Sequence, residues 1–446
     1  MAAIPTPSLI AQASAILDAA TKLQRQLEEH HLVPPGFEPH SRKDWHDAVD
    51  HPDILATRSA LIDASNVMLN LAMGPVDTLS SLAGPSISKV DVYRTLDTLG
   101  ISQAVPMDGM IGVGELAAKV GVHAGHLHQQ LRFAYLIGMF HEPYEGFVAH
   151  TSLSAAMPQI SPWASLRHSR LMSRGAWEVA SALRVWRDDA PSDHVQIPCS
   201  LADRRHRSFW KTLEEDDPEN KGMQKFSLGM KALFASHSSN SFAPFVQSFN
   251  WDALGGGLVI DVGGGNGHIE ANILKDIPSD INFLIQDLAT NETPAAEVIR
   301  GHRAGDRIKF QVHDFFTDQP RDLKPKAYLL SRILHDWQDK DCARILKPLI
   351  PAMIDHGTRL FIAERILPER IGEIPNHKEQ LMRTQDLLMF TLFGGGERSL
   401  SDWTTLFKSV DSRLVITAVE QPLISPFSYM ELSFGGGGRT PGTEGR

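Results

Sequence analysis

Apolar residues recur along this chain in two rhythms. In the first third they return every three or four positions, the period of a helix with one buried face. Ser8 to Leu32 repeats Leu, Ile and Ala in this way, with Lys22, Arg25, Gln26, Glu28 and Glu29 on the polar side. After a polar, proline-marked connection from Pro34 to Pro52 the pattern resumes from Ile54 to Met73. Val90–Leu99, Gly114–Val120 and His126–Leu136 predict shorter helices, with a turn at Gly121, and Phe140–His150 predicts a two-strand wing. That order is a winged helix-turn-helix pattern. Mixed helices follow from Leu166 to Arg187 and from Lys225 to Phe249, broken by charged loops at 188–193 and 214–221.

From Gly257 onward the rhythm changes. Short apolar runs now alternate with helical stretches: Gly257–Val262, Ile281–Gln286, Leu329–Leu334 and Thr358–Ala363. Strands apolar on both faces, separated by helices, predict a parallel sheet covered on both sides. The expected fold class is α/β, a Rossmann-like domain behind a mainly helical winged-helix domain. The expected boundaries are 1–165 for the winged-helix part, 166–250 for a helical linker lining a substrate pocket, 251–434 for the sheet domain, and a disordered glycine-rich tail at 435–446. No internal repeat is visible.

The first strand runs into Asp261-Val-Gly-Gly-Gly-Asn-Gly-His268, a glycine turn expected to open a helix from about Ile269 to Lys275. Glycine is required where the backbone takes positive φ or approaches a ligand closely. The second strand ends at Asp287, placed to hydrogen-bond a ribose hydroxyl pair. A dinucleotide fingerprint would need a small residue where His268 stands, and a triphosphate site would need a P-loop lysine. An acidic residue at the first strand's end, Asp261, suits the amino group of a bound methionine, so S-adenosylmethionine (SAM) is the leading cofactor.

A third strand ends near His335, in Ile333-Leu-His-Asp-Trp337. Ligands bind at the C-terminal ends of strands in open α/β sheets, and an imidazole there is suited to general-base work. Asp336 is expected to cap a helix that starts at Trp337. Glu364 ends the next strand, and Glu397 follows the run Gly394-Gly-Gly396 that stops an apolar helix over Gln385–Phe393. Each glutamate is either an orienting acid for His335 or a solvated loop residue. Met389, Phe390 and Phe393 are open between lining an aromatic pocket and packing the core.

Taken together, the Asp261 loop, the Ile-Leu-His-Asp-Trp segment with Asp339 and Asp341 behind it, and the Gly-Gly-Gly-Glu-Arg-Ser tail resemble the cation-independent class I O-methyltransferases. These are the plant caffeate-type and fungal secondary-metabolite enzymes, and the resemblance runs from about Val90 to Phe427. It implies a SAM-dependent O-methyltransferase with His335 as base and Glu364 and Glu397 as its orienting acids. It carries SAM contacts onto Gly263, Gly264 and Asp287, places Asp314 and Phe315 beside the adenine, and matches Arg332 to a basic residue of fungal members. It also implies an aromatic, polyketide-like small-molecule substrate and a homodimer formed through the N-terminal domain. Some fungal relatives of this kind catalyse dehydration or pericyclic closure with SAM as a bound charge, which is the alternative reading. Such enzymes tend to lose the histidine that this chain keeps.

Composition narrows the classes further. A net charge of −10, and a third winged-helix helix with Arg132 as its one formal cation, oppose a nucleic-acid partner. No apolar run approaches a membrane span, Ser8–Leu32 lacks a dense basic face, and Met1-Ala-Ala-Ile lacks the basic start of a signal peptide. Cys199 and Cys342 are the two cysteines, too few for a disulfide framework or a zinc site, so a cytoplasmic home is expected. No metal site is expected, and His30 and His31 are read as solvated.

Overall fold

A computed structural model describes residues 8–48, 50–186, 196–215, 221–236, 242–302, 305–422, 425 and 427–435. All of the tail expected at 435–446 except Gly435, and the charged loop at 188–193, lie outside the described residues. The chain divides into two compact units, one from the described residues of 1–173, 210–239 and 375–377, the other from those of 174–209, 240–374 and 378–446.

The first unit opens with helices Leu9–Glu29 and Pro52–Ala83, whose Leu23, Leu27 and Ile54 pack together. The first segment of the second helix ends at Met73 as expected: Gly74, at φ 72 and ψ 171, is not helical, and a further helical segment resumes at Pro75 across the kink. Helices Pro85–Thr98, Val113–Val120 and Ala124–Leu136 follow the expected order. Strands β1 (Ile111–Gly112), β2 (Phe140–His141) and β3 (Phe147–His150) form a sheet in the order β1-β3-β2. The wing therefore has three strands where two were expected. The extra strand lies directly before the Val113–Val120 helix and is only two residues long, too short for an alternation signal. Leu96, Ile101, Leu116, Leu127, Leu131, Phe140 and Val148 close the core.

Along the chain, the stretch read as 166–187 holds the end of helix Ser152–Arg167 and helix Arg170–Trp186, and the stretch read as 225–249 holds Lys221–Ser236 and Ala243–Ser248. Pro244 sits in the first turn of the last one, where its missing N–H costs nothing, and so begins a new helix.

The second unit is built on strands β4 (Gly257–Val262), β5 (Ile281–Asp287), β6 (Ile308–Val312), β7 (Ala327–Ser331) and β8 (Arg359–Glu364). The short β9 (Ile366–Leu367) and β10 (Arg398–Ser399) pair in parallel, and β11 (Leu414–Glu420) and β12 (Ser428–Phe434) complete the set. Seven strands run β11-β12-β8-β7-β4-β5-β6, with β4 to β8 parallel and β12 antiparallel to β8 and β11. Successive residues face opposite sides. Ile260, Tyr328, Leu360 and Met430 join Trp403 and Phe407 on one side, while Val259, Leu329, Phe361 and Tyr429 join Phe245, Phe249 and Trp251 on the other. From β4 the chain steps outward to β5 and β6, then returns to β7 and β8 on the other side. The C-terminal ends of β4 and β7 therefore frame a topological switch point, where α/β sheets bind ligands.

Candidate active site

β4 delivers the glycine loop to that point. Gly263, Gly265 and Gly267 have φ of 79, 59 and 74, a region that side chains rarely enter. A Cβ on Gly264 would lie 2.3 Å from Asp261 Oδ2, so the loop lies directly on a buried carboxyl. The Gly265 N–H donates to Asp287 Oδ2 at 2.8 Å, which ties the loop to the end of β5. The helix that follows is His268–Ile273, shorter than expected. Phe315 packs edge-on to Trp337 at 5.8 Å, with a ring carbon 3.6 Å from where a Gly263 Cβ would be. Asp314 is exposed, and its Oδ1 accepts the Phe316 N–H at 3.0 Å.

β7 ends at Ser331, and His335 lies on a short 3-10 turn, Leu334–Asp336. Its Nδ1 is 3.3 Å from Glu364 Oε2 and 3.3 Å from Glu397 Oε1. Both glutamates are buried, so the solvated-loop alternative does not hold for either. Glu364 Oε1 accepts the N–H groups of Ile333 and Leu334 at 2.9 and 2.8 Å, which aims its other oxygen at the imidazole. Asp336 is not a helix cap. Gln338 occupies that position for the helix Asp339–Leu346, and Asp336 Oδ1 instead sits 3.4 Å from His335 Nε2. The turn after Leu334 delays the helix and leaves Asp336 beside the ring.

These neighbours decide the charge. Burial alone would hold the imidazole neutral, but Glu364, Glu397 and Asp336 outweigh it and push its pKa up to about 10. Burial pushes Asp336 up to about 7 despite the imidazole's pull. Burial likewise raises Glu364. For Glu397 burial opposes ionisation, yet His335, Arg365 and Arg398 hold it below the usual range.

The glycine run does more than stop the helix Asn376–Phe393. A Cβ on Gly395 would lie 2.2 Å from the His335 carbonyl oxygen, and the Gly396 N–H donates to that same oxygen at 2.9 Å. The run therefore lies against the backbone of the base. Arg398, two residues beyond, reaches the carbonyls of Leu334 and Trp337 at 3.0 and 2.8 Å and clamps the turn. Sequence reasoning missed Arg398 as a positioning residue, although it adjoins Glu397 in the quoted tail. It missed Arg365 too, whose Nε is 3.6 Å from Glu397 Oε1. Arg332 has φ 59, unusual for a non-glycine residue, and its side chain faces Glu364, Asp261, Asp336 and Glu270. Met389 and Phe393 are buried, and Phe390 and Phe393 meet Trp186 and Phe209 at 5.0 and 5.3 Å.

Among the described residues two groups could gather around a metal ion: His335 with Glu364 and Glu397, and His30 with His51 and Asp53. His30, expected to be merely solvated, is exposed and lies against His51, with ring centroids 4.0 Å apart and planes tilted by 43°.

A family model for the O-methyltransferase domain matches residues 208–411. The O-methyltransferase aoiO of Aspergillus oryzae is 30% identical over 380 residues, covering 84% of this chain and 90% of its own length. The O-methyltransferase aurJ of Gibberella zeae is 29% identical over 451 residues, covering 97% of this chain and 99% of its own. Among solved structures, OxaC in complex with S-adenosylhomocysteine (SAH) and oxaline superposes with a TM-score of 0.74 at 22% identity, over 96% of this chain and 99% of that one. The chain belongs to the O-methyltransferase family, as its motifs led one to expect.

Proposed function

We propose that the protein methylates a hydroxyl of an aromatic, polyketide-like metabolite, with SAM as donor and His335 as general base. The observation that carries this reading is the His335 imidazole held 3.3 Å from each of two buried glutamates, at the switch point beside the glycine loop. The loop fits the donor. Gly263 and Gly264 leave room for close approach, Asp287 offers its carboxylate at a strand end, and Asp314 and Phe315 flank the loop's far side in this reading. Bound SAM would supply an electrophilic methyl on a sulfonium. The acceptor hydroxyl gives its proton to His335 as its oxygen takes the methyl.

A phenol has a pKa of about 10, close to that of this histidine, so the proton moves between partners of matched strength. Glu364 and Glu397 hold the ring and balance the imidazolium, and Arg332 offsets the acids around both sites. A metal plays no part in this reading, and neither does a nucleic acid.

Leu79, Leu82, Ile87 and Val90 are exposed in the first unit. They support a homodimer formed through that region. Among the described residues no helix is long and apolar enough to cross a membrane, and Cys199 and Cys342 are buried free thiols, which fits a cytoplasmic home.

The test is mass spectrometry of the purified protein with SAM and a panel of phenolic polyketides. A product heavier by one methyl group, with SAH released, is the expected result. A rearranged product of unchanged mass with SAM intact would overturn methyl transfer in favour of a pericyclic or dehydrating role.

A further inference from the structure

Asp261 and Glu270 take no part in the base chemistry, yet both are fully buried, and their carboxyls lie close enough for each to act on the other. All four of their carboxyl oxygens are buried, and among the described residues no side-chain N–H or O–H donates to them. Two carboxyls in contact away from water cannot both ionise, so the pair keeps a proton between them. Burial, above all, lifts both groups above the ordinary carboxylate range. Three elements present charge to the pair. Glu270 stands on the helix after the loop, Asp287 at the end of β5 adds repulsion on Asp261, and Arg332 beyond β7 draws both downward. His268, on the same helix as Glu270, turns its Nδ1 to Asn266 Oδ1 at 3.1 Å.

The glycine loop rests on this pair. The Cβ position of Gly264 is 2.3 Å from Asp261 Oδ2, and that of Gly267 is 3.8 Å from Glu270 Oε2. Any charge bound against the loop is thus felt by the pair through little more than backbone, where screening is weak. SAM and SAH share the adenosine, amino and carboxylate groups and differ at sulfur, which is cationic in one and neutral in the other.

We propose that Asp261 and Glu270 form a proton-sharing pair that distinguishes SAM from SAH, with Glu270 the residue that creates the discrimination. The pair gives its proton to solvent when the sulfonium is present and recovers it when the neutral thioether remains. Donor binding is thereby strengthened as pH rises, and product binding is not. This rests on SAM being the ligand of the loop.

The test is calorimetric titration of the full chain with SAM and with SAH, in buffers of different ionisation enthalpy, from about pH 6 to about pH 9. SAM should release close to one more proton than SAH and bind up to about tenfold tighter per pH unit, while SAH affinity stays flatter. Glu270→Gln should abolish the difference and keep SAH binding, which also shows that the variant folds. His335→Asn should retain the difference. Equal proton release for the two ligands in the unmodified protein overturns the proposal and leaves the SAM reading standing. Loss of the difference in His335→Asn assigns the proton to the base and overturns it too. Failure of both ligands to bind overturns the SAM reading along with it.

Discussion

Two buried acid clusters stand at neighbouring strand ends of one sheet, and they resolve the same electrostatic problem in opposite ways. After β7, two glutamates surround an imidazole, with Arg365 and Arg398 behind them, and the acids raise the histidine's affinity for a proton. After β4, two carboxyls face each other, and burial keeps a proton between them. Burial disfavours every isolated charge, so the identity of the nearest partner sets which group carries the proton. Residue type alone would not separate the two clusters.

The strongest way to break this contrast is to remove the imidazole. His335→Ala is expected to lower kcat by ~10²–10⁴-fold while SAM binding persists, measured by turnover beside calorimetry. Unchanged turnover would remove His335 as the base. Gly395→Ala should come next. Its Cβ would sit 2.2 Å from the His335 carbonyl, so the base must shift, and a displacement of this kind can cost about 10²-fold in rate. Normal kinetics in that variant would show that the turn yields without moving the ring.

Glu364→Gln sharpens the comparison without displacing anything, because the amide oxygen can still accept the Ile333 and Leu334 N–H groups. In the unmodified enzyme kcat/KM should rise with pH toward the histidine's value of about 10, since the base must be unprotonated. Loss of one carboxylate should move that rise about 1–3 units lower. An unmoved profile would mean that Glu364 does not set the base's charge.

The smallest effect concerns stability. The folded-state pKa of His335 lies above its unfolded value, so its contribution is full below that unfolded value and fades as pH rises through about 10. The raised acids Asp261 and Glu270 act in the same direction, their contribution fading as pH rises above the ordinary carboxylate range. Thermal melts of the ligand-free protein should therefore decline on the alkaline side. Glu270→Gln should flatten the slope slightly, and an unchanged slope would disconnect the pair from folding.

Much of this was legible in the residues. The β4 and β5 strands and the glycine loop follow from apolar runs that stop at polar residues, whereas the residues alone left Glu364 and Glu397 open, and only the family resemblance brought them to His335. Asp336 was misread because a 3-10 turn and an α-helix start share the same local signature, and only the later helix at Asp339 separates them. The Gly394–Gly396 run read as a stop, whereas Gly395 is required by contact with a backbone 60 residues away in sequence (395 − 335). No periodicity encodes such a contact. Arg398 escaped for the same reason, since its partners are carbonyls of a turn that has no sequence signature of its own.

One contact also sets a timetable for synthesis. The carboxylate of Asp63 accepts the N–H groups of Asn376 and His377, and so caps the helix Asn376–Phe393 from 313 and 314 residues earlier in the chain. At about 5–20 residues per second, a ribosome needs roughly 16–60 seconds to supply that partner after Asp63 emerges. Until then the helical N-terminal unit lacks its last piece, while every parallel strand of the sheet has already left the tunnel's entrance. The nascent chain must hold an unfinished first unit in solution while it builds the second, an interval in which a chaperone has time to act.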